Sequence, residues 1–174
     1  MATCTTLTGI TKSCSNNLGG ITDVWIYDTE DVTITAASGT VSAIVLSGGT
    51  GEKFSFNRNT GNFTEEFASD LVNGSGFYTQ TVNLMFHKRE AAKSQALNIL
   101  AEGQRDLCVI IKDANSTYWV LNYAQLTAIA EGSGQAKADG SKYSLTLLAE
   151  NESPMNDVLY ATLTTFDATL FPAP

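Results

Sequence analysis

The sequence has little of the side-chain chemistry that enzymes use. It contains one histidine, three cysteines and three prolines among 174 residues. A multi-imidazole metal site and a Ser-His-Asp triad both need histidine, and His87 has no conspicuous partner in the sequence. Cys4, Cys14 and Cys108 form no CxxC pair, so we expect neither a zinc site nor a dense disulfide framework. We therefore predict no catalytic residues, no metal, no cofactor and no enzymatic activity.

Basic residues are also scarce. Ten Lys and Arg stand against 18 Asp and Glu, which gives a net charge of −8, and the longest basic run is Lys88-Arg89. Nucleic-acid binders draw most of their affinity from cationic contacts to phosphate, so tight binding of DNA or RNA is disfavoured. An acidic surface fits simple solubility, and it also fits a conduit through which DNA slides without sticking.

No apolar run approaches the roughly 18 residues of a membrane span, and Met1 to Thr8 is polar rather than signal-like. The hydrophobic fraction of 43% with 16% charged residues excludes a disordered chain. The expected organisation is an extended N-terminal arm over 1–20, a single β-rich domain over 21–165 and a C-terminal tail over 166–174. The arm can dock on a neighbour or fold back on its own domain.

Most of the chain has the period-2 alternation of β-strands, broken by Gly, Ser, Asp and Asn. The segment Phe77–His87 is the longest strand predicted, with a polar face at Thr79, Thr81 and Asn83. The two segments before it, Glu52–Arg58 and Phe63–Ala68, are predicted to pair as a hairpin. The other predicted strands are Thr22–Tyr27, Asp31–Ala36, Thr40–Leu46, Leu107–Ile111, Tyr118–Tyr123, Gln125–Ala130, Lys142–Ala149 and Val158–Thr164.

One segment, from Lys88 to Glu102, has helical periodicity instead. Its apolar stripe is predicted at Ala92, Ala96, Ile99 and Leu100 with Leu97 beside it, and Lys93 is predicted to face away. With no other helix in the sequence, this stripe must cover a sheet or plug the end of a barrel. The predicted fold is mainly β (α+β): an antiparallel β-sandwich or split β-barrel with one flanking α-helix at about 88–102.

Local motifs for other chemistries are incomplete. Gly48 to Lys53 lacks the Gly-Lys-Ser/Thr order and the following helix of a phosphate loop. Glu65 and Glu66 are adjacent on a strand and point to opposite faces, so they cannot form a glycosidase pair by themselves. Aromatic side chains that would bind a sugar if exposed are Trp25, Tyr118 and Trp119.

Two stretches resemble proteins of tailed bacteriophages. Gly9 to Ile21, followed by Val24-Trp25-Ile26-Tyr27, resembles the start of small virion proteins. Gly132 to Leu147, followed by Glu150 and Pro154, is similar to the closing hairpin of tail-tube subunits. The resemblance implies a tail-tube-like virion structural protein that forms stacked rings, usually hexameric, around a DNA channel.

The resemblance also implies partners and a location. The partners are copies of the chain itself and other virion proteins, DNA passes through the channel non-specifically, no membrane is involved, and the protein is assembled in the host cytoplasm into the virion. Lumen-facing candidates are Thr79, Thr81 and Asn83, whose face can alternatively meet bulk water. Subunit-interface candidates are Ile10, Leu18, Phe63, Phe67 and Phe171.

Two alternatives stay open at this point. One is a capsid decoration or connector protein of the same virion, which differs only in its place in the particle. The other is a carbohydrate-binding, adhesin-like β-sandwich that uses Trp25, Tyr118 or Trp119.

Overall fold

The computed structural model describes residues 9–10, 17–37, 39–48 and 51–158. This part of the chain contains one α-helix, α1 (Ala91–Ala101). Its strands are β1 (Ile21–Asp28), β2 (Val32–Ala37), β3 (Thr40–Leu46), β4 (Glu52–Phe54), β5 (Gly61–Asp70), β6 (Ser75–His87), β7 (Leu107–Asp113), β8 (Tyr118–Gly132), β9 (Lys142–Asn151) and β10 (Asn156–Val158). Most of the predicted arm, the tail with Phe171, and the predicted strand beyond Val158 lie outside the described residues.

The strands form two layers that share β8. The first layer has the order β2-β3-β10-β8-β7-β1-β4, and the second has the order β5-β6-β9-β8. All pairs are antiparallel except β10 with β3. Within the described residues the sheet does not close into a barrel, because β2, β4 and β5 each pair on one side only. The prediction of a mainly β, sandwich-like fold with one flanking helix is confirmed.

A bend in β8 lets one strand serve both layers. Its first half pairs with β7 as far as Ala124, and its second half pairs with β9 from Gln125 onward. Tyr123 stands at this corner with a φ of 56°, and the register with β7 shifts beside it. A bulge of this kind bends a strand and increases its twist. The sequence analysis divided β8 into two strands at this corner, whereas the structure has one bent strand.

Strand β1 is buried on both faces, which explains its nearly continuous apolar sequence. Val24 and Ile26 belong to the larger core, which lies between the two layers. Trp25 and Tyr27 belong to a smaller core on the opposite face of the first layer. β7 divides its apolar side chains between the same two cores in the same way.

The predicted hairpin of Glu52–Arg58 with Phe63–Ala68 is wrong. β4 pairs with β1, and β5 pairs with β6. The cause is the turn between them, in which the Thr60 hydroxyl donates to the Asn57 carbonyl at 2.6 Å and Asn59 has a φ of 64°. This turn carries the chain from the first layer to the second instead of reversing it within one layer.

The predicted apolar stripe of α1 is only partly correct. Leu97, which was predicted beside the stripe, is buried in the larger core. Of the stripe itself, Leu100 packs against this core, but Ala92 and Ala96 are exposed and Ile99 is 51% exposed. Lys93, which was predicted to face away, is half-buried, and its ammonium donates to the carbonyls of His87 and Lys88. The helix is only 11 residues long. Its apolar face extends beyond the sheet contact and borders an open cavity.

Candidate assembly surfaces

The second layer has a broad polar outer face. β6 contributes Thr79, Thr81 and Asn83, which are half-buried and point away from the core-facing Gln80, Val82 and Leu84. The hydroxyl of Thr146 on β9 donates to the Asn83 side-chain oxygen at 3.0 Å. The strand registers place these further residues on the same face: Asn62, Thr64, Glu66, Asp70, Ser75, His87, Lys142, Ser144, Thr146 and Glu150, with Ala68, Phe77, Met85 and Leu148 as apolar members.

Two carboxylates flank the middle of this face. Thr79 lies opposite Glu66 on one side and Glu150 on the other. Neighbouring strands are about 4.8 Å apart, so the two glutamates are roughly 10 Å apart across the row. The structure thus joins the three lumen-facing candidates into a polar surface, with the two glutamates toward one end of β6 and Lys142 at the other end.

The outer edge of β5 is not paired with another described strand. The Met85 N–H donates to the Thr60 carbonyl at 2.9 Å, so Gly61 and Leu84 form a non-hydrogen-bonded pair of the antiparallel ladder. The odd-numbered residues of β5 therefore turn their N–H and C=O groups away from β6. A ten-residue edge of this kind is a template for pairing with another chain.

The turn between β5 and β6 carries two exposed apolar side chains. Leu71 is 92% exposed and Val72 is 93% exposed. Asp70 holds the turn in shape, because its carboxylate accepts the N–H groups of Val72 at 2.9 Å and Asn73 at 3.3 Å as well as the Asn73 side-chain amide. These hydrogen bonds, led by that from the Asn73 side chain, lower the pKa of Asp70. Leu71 and Val72, which we call the hairpin tip, are presented to water by an ordered turn.

A cavity of about 560 Å³ lies beneath α1, at the other end of β6. Its apolar wall consists of Ile26, Phe54, Phe86, Leu97, Ile99 and Leu100. Charged residues also line it: Asp28, Asp31, Glu52, Lys53, Lys93 and Arg105. Pockets of roughly 300–1,000 Å³ with mainly apolar walls are typical of binding sites. We call this space the helix cavity.

A buried tyrosine also lines the helix cavity. Tyr27 is 3% exposed, and its hydroxyl has no hydrogen-bond partner among the described residues. Burial raises the pKa of Tyr27, with a smaller contribution from Cys108. The hydroxyl is therefore a protonated donor that lacks an acceptor in this part of the structure.

A second tyrosine anchors α1 over the cavity. Glu90, at the N-terminus of the helix, makes no side-chain cap. The Tyr143 hydroxyl donates to the Glu90 carbonyl at 3.1 Å and accepts the Glu90 N–H at 3.1 Å, and it pairs with the Ser94 hydroxyl at 2.7 Å. This hydroxyl performs the capping function from the neighbouring sheet.

The predicted interface residues differ in their exposure. Ile10 is fully exposed and Phe67 is 61% exposed, whereas Phe63 is half-buried and packs on Trp119 with ring centroids 6.2 Å apart. Leu18 is 52% exposed, but its backbone is hydrogen-bonded to the Asn115 side chain. The end of the arm therefore contacts its own domain at this point. Phe171 lies outside the described residues.

The alternative sites have little support in the geometry. Trp25 is 5% exposed and cannot offer its ring to a sugar, and Trp119 is half-buried with its indole N–H donating to Asp113 at 3.2 Å. In the part of the chain that the structure describes, no group of three His, Cys, Asp or Glu side chains has metal-site geometry. No helix there is long and apolar enough to cross a membrane.

The sequence analysis missed the hairpin tip and the helix cavity. Leu71-Val72 follows a strand and precedes Asn73-Gly74, and two large apolar residues in such a turn were a readable signal of an exposed apolar site. The cavity had no comparable signal, because its walls come from distant segments of the chain.

No family model matches the chain, and no curated protein sequence matches it significantly. Among solved structures, the chain is similar to one chain in the cryo-EM structure of the anti-feeding prophage baseplate, 6-fold symmetrised. The match covers 83% of this chain and 97% of that chain, with 12% sequence identity and a TM-score of 0.43. A similarity of this size establishes neither a shared fold nor a shared function.

Proposed function

We propose that the chain is a structural, non-enzymatic subunit of a bacteriophage tail that assembles with copies of itself into stacked rings around a DNA channel. The observation that carries the proposal is the free edge of β5 beside the polar outer face of its sheet. Edge pairing between copies would satisfy main-chain groups that are otherwise left to water. The sequence resemblance to tail-tube subunits supports the same role.

The polar outer face suits the wall of the channel. In a ring closed through β5, rotational symmetry gives the face that carries Glu66 and Glu150 the same position in every copy, so this face would repeat around the channel. Small hydroxyl and amide side chains make few strong contacts with DNA, and the carboxylates repel it. Thr79, Thr81 and Asn83 would then face the lumen.

Closed rings of identical subunits require heterologous contacts, in which different patches of two copies meet. In the described part of the chain, the edge of β5 is one such patch, and the edge of β2 or of β4 is the patch with which it would pair. The number of subunits in a ring depends on the angle between the paired copies.

The proposal is tested with the full chain at high concentration by sedimentation velocity and negative-stain electron microscopy. We expect rings or tubes. Ser69→Pro removes a main-chain donor that points away from β6, whereas Ser69→Ala keeps that donor. We expect the proline variant to assemble more weakly than the alanine variant at unchanged thermal stability. A wild-type protein that stays monomeric at every concentration, or two variants that assemble equally well, would contradict the proposal.

A further inference from the structure

The hairpin tip and the helix cavity lie at opposite ends of one long strand. The tip immediately precedes β6, and Phe86 at the end of β6 lines the cavity. From residue 75 to residue 86, a strand spans about 36 Å at ~3.3 Å per residue. β6 is paired with β5 on one side and with β9 on the other. A strand held in this way cannot fold back, so the tip of a molecule does not reach its own cavity.

The two surfaces have matching chemistry. The tip presents an aliphatic pair, Leu71 and Val72, that is more than 90% exposed. The cavity presents an aliphatic and aromatic wall that includes Ile99, itself 51% exposed. Ordered apolar groups left in water on both surfaces are typical of interaction sites.

The charges restrict the choice of partner for the tip. Residues 59–86, which include the β5–β6 hairpin and its tip, contain three acidic residues and no Lys or Arg. Anionic lipid and nucleic acid repel a hairpin of this charge. The cavity rim combines three carboxylates with Lys53, Lys93 and Arg105, so it does not repel the hairpin.

We propose that the hairpin tip of one copy inserts into the helix cavity of a second copy, so that subunits join head to tail along the direction of β6. This inference rests on the proposed function, because it names the contact through which a copy in one ring meets a copy in the next ring. Because the two patches differ and lie at opposite ends of the molecule, the contact repeats without limit and builds a stack.

The test places cysteines on the two sides of the contact in a full-length Cys4→Ser/Cys14→Ser background that must assemble like the wild type. Cys108 stays, because it is fully buried. Val72→Cys is combined with Ile99→Cys and treated with a short bismaleimide under assembly conditions. The matched control combines Val72→Cys with Lys137→Cys, an exposed position at the same end of the molecule that does not line the cavity.

We expect a ladder of cross-linked dimers and larger species from the Val72/Ile99 pair, and none from either single variant or the control pair. Assembly without this ladder, or equal ladders from both pairs, overturns the inference and leaves the proposed function standing. A wild-type protein that never assembles overturns both.

A second measurement uses Val72→Ser, with Val45→Ser as the matched control, since Val45 is 53% exposed on β3 and belongs neither to the tip nor to the cavity lining. We expect Val72→Ser to raise the protein concentration at half-assembly at least tenfold and Val45→Ser to leave it unchanged. Equal concentrations for Val72→Ser and the wild type overturn the inference. Thermal unfolding of both variants confirms that the monomer is intact.

Discussion

Replacing Tyr143 by Phe removes one oxygen that makes three hydrogen bonds at the start of α1. Its partners are the N–H and C=O of Glu90 and the hydroxyl of Ser94. The helix has no side-chain N-cap of its own, so this hydroxyl is the tertiary contact that replaces one. A net intramolecular hydrogen bond contributes about 0.5–1.5 kcal/mol, and a buried group left unsatisfied costs about 1–3 kcal/mol.

Water reaches part of this site, because Glu90 is exposed and Ser94 is half-buried, so the loss is smaller than the sum over three bonds. We expect the free energy of unfolding to fall by about 2 kcal/mol. At this chain length, 1 kcal/mol shifts Tm by about 2–4 °C, so Tm is expected to fall by about 4–8 °C. Calorimetry measures Tm, and hydrogen exchange over 91–101 shows whether the loss is located in the helix.

Two other tyrosines give matched controls for the same chemical change. The Tyr27 hydroxyl is buried without a partner among the described residues, so Tyr27→Phe is expected to leave Tm unchanged or to raise it. Tyr123 is 58% exposed, and Tyr123→Phe is expected to be neutral. If the Tyr143→Phe variant had the same Tm as the Tyr123→Phe variant, the capping role of Tyr143 would be refuted.

Three further predictions concern single residues. Burial raises the pKa of the Cys108 thiol to about 12. In the Cys4→Ser/Cys14→Ser background we therefore expect no reaction with Ellman's reagent at neutral pH until the protein unfolds. Rapid labelling of the native protein would contradict this prediction. The lowered pKa of Asp70 means that the folded turn favours the carboxylate, so this stabilisation is present above the ordinary aspartate pKa of 3.8 and is lost as the pH falls through the lowered value. The amide resonance of Val72 should therefore titrate with a midpoint below 3.8, and a midpoint at or above that value would contradict the assignment. Asn115→Ala should speed hydrogen exchange at the Leu18 amide, which donates to the Asn115 side chain at 2.8 Å, and unchanged exchange would show that this contact does not hold the arm.

The polar and apolar faces of β6 could be predicted from the sequence. The alternation from Gln80 to Phe86 is strict, and a period of 2 places successive side chains on opposite faces whatever the strand pairs with. Which strands pair with each other could not be predicted from the sequence in this way. Glu52–Arg58 and Phe63–Ala68 are adjacent strand-like segments, yet the turn at Asn57 and Thr60 directs them to different layers.

The helix shows a similar division. Its existence and its approximate end follow from periodicity and from Gly103. Which of the other apolar positions is covered depends on how far the sheet extends beneath the helix. Ile99 has the apolar character of a core residue, but the sheet leaves a cavity where its contact would be.

By itself, the sequence determined the strand-rich character of the protein, the one helix of the described residues, its acidic charge and its scarcity of histidine and cysteine, because these depend only on composition and local periodicity. The tertiary structure alone decided the rest: that β8 bends to serve two layers, that β5 has no second strand partner among the described residues, and that an apolar tip and an apolar cavity lie at opposite ends of β6. These features arise from contacts between residues far apart in the chain. Local patterns of side chains carry no record of which distant segments will meet.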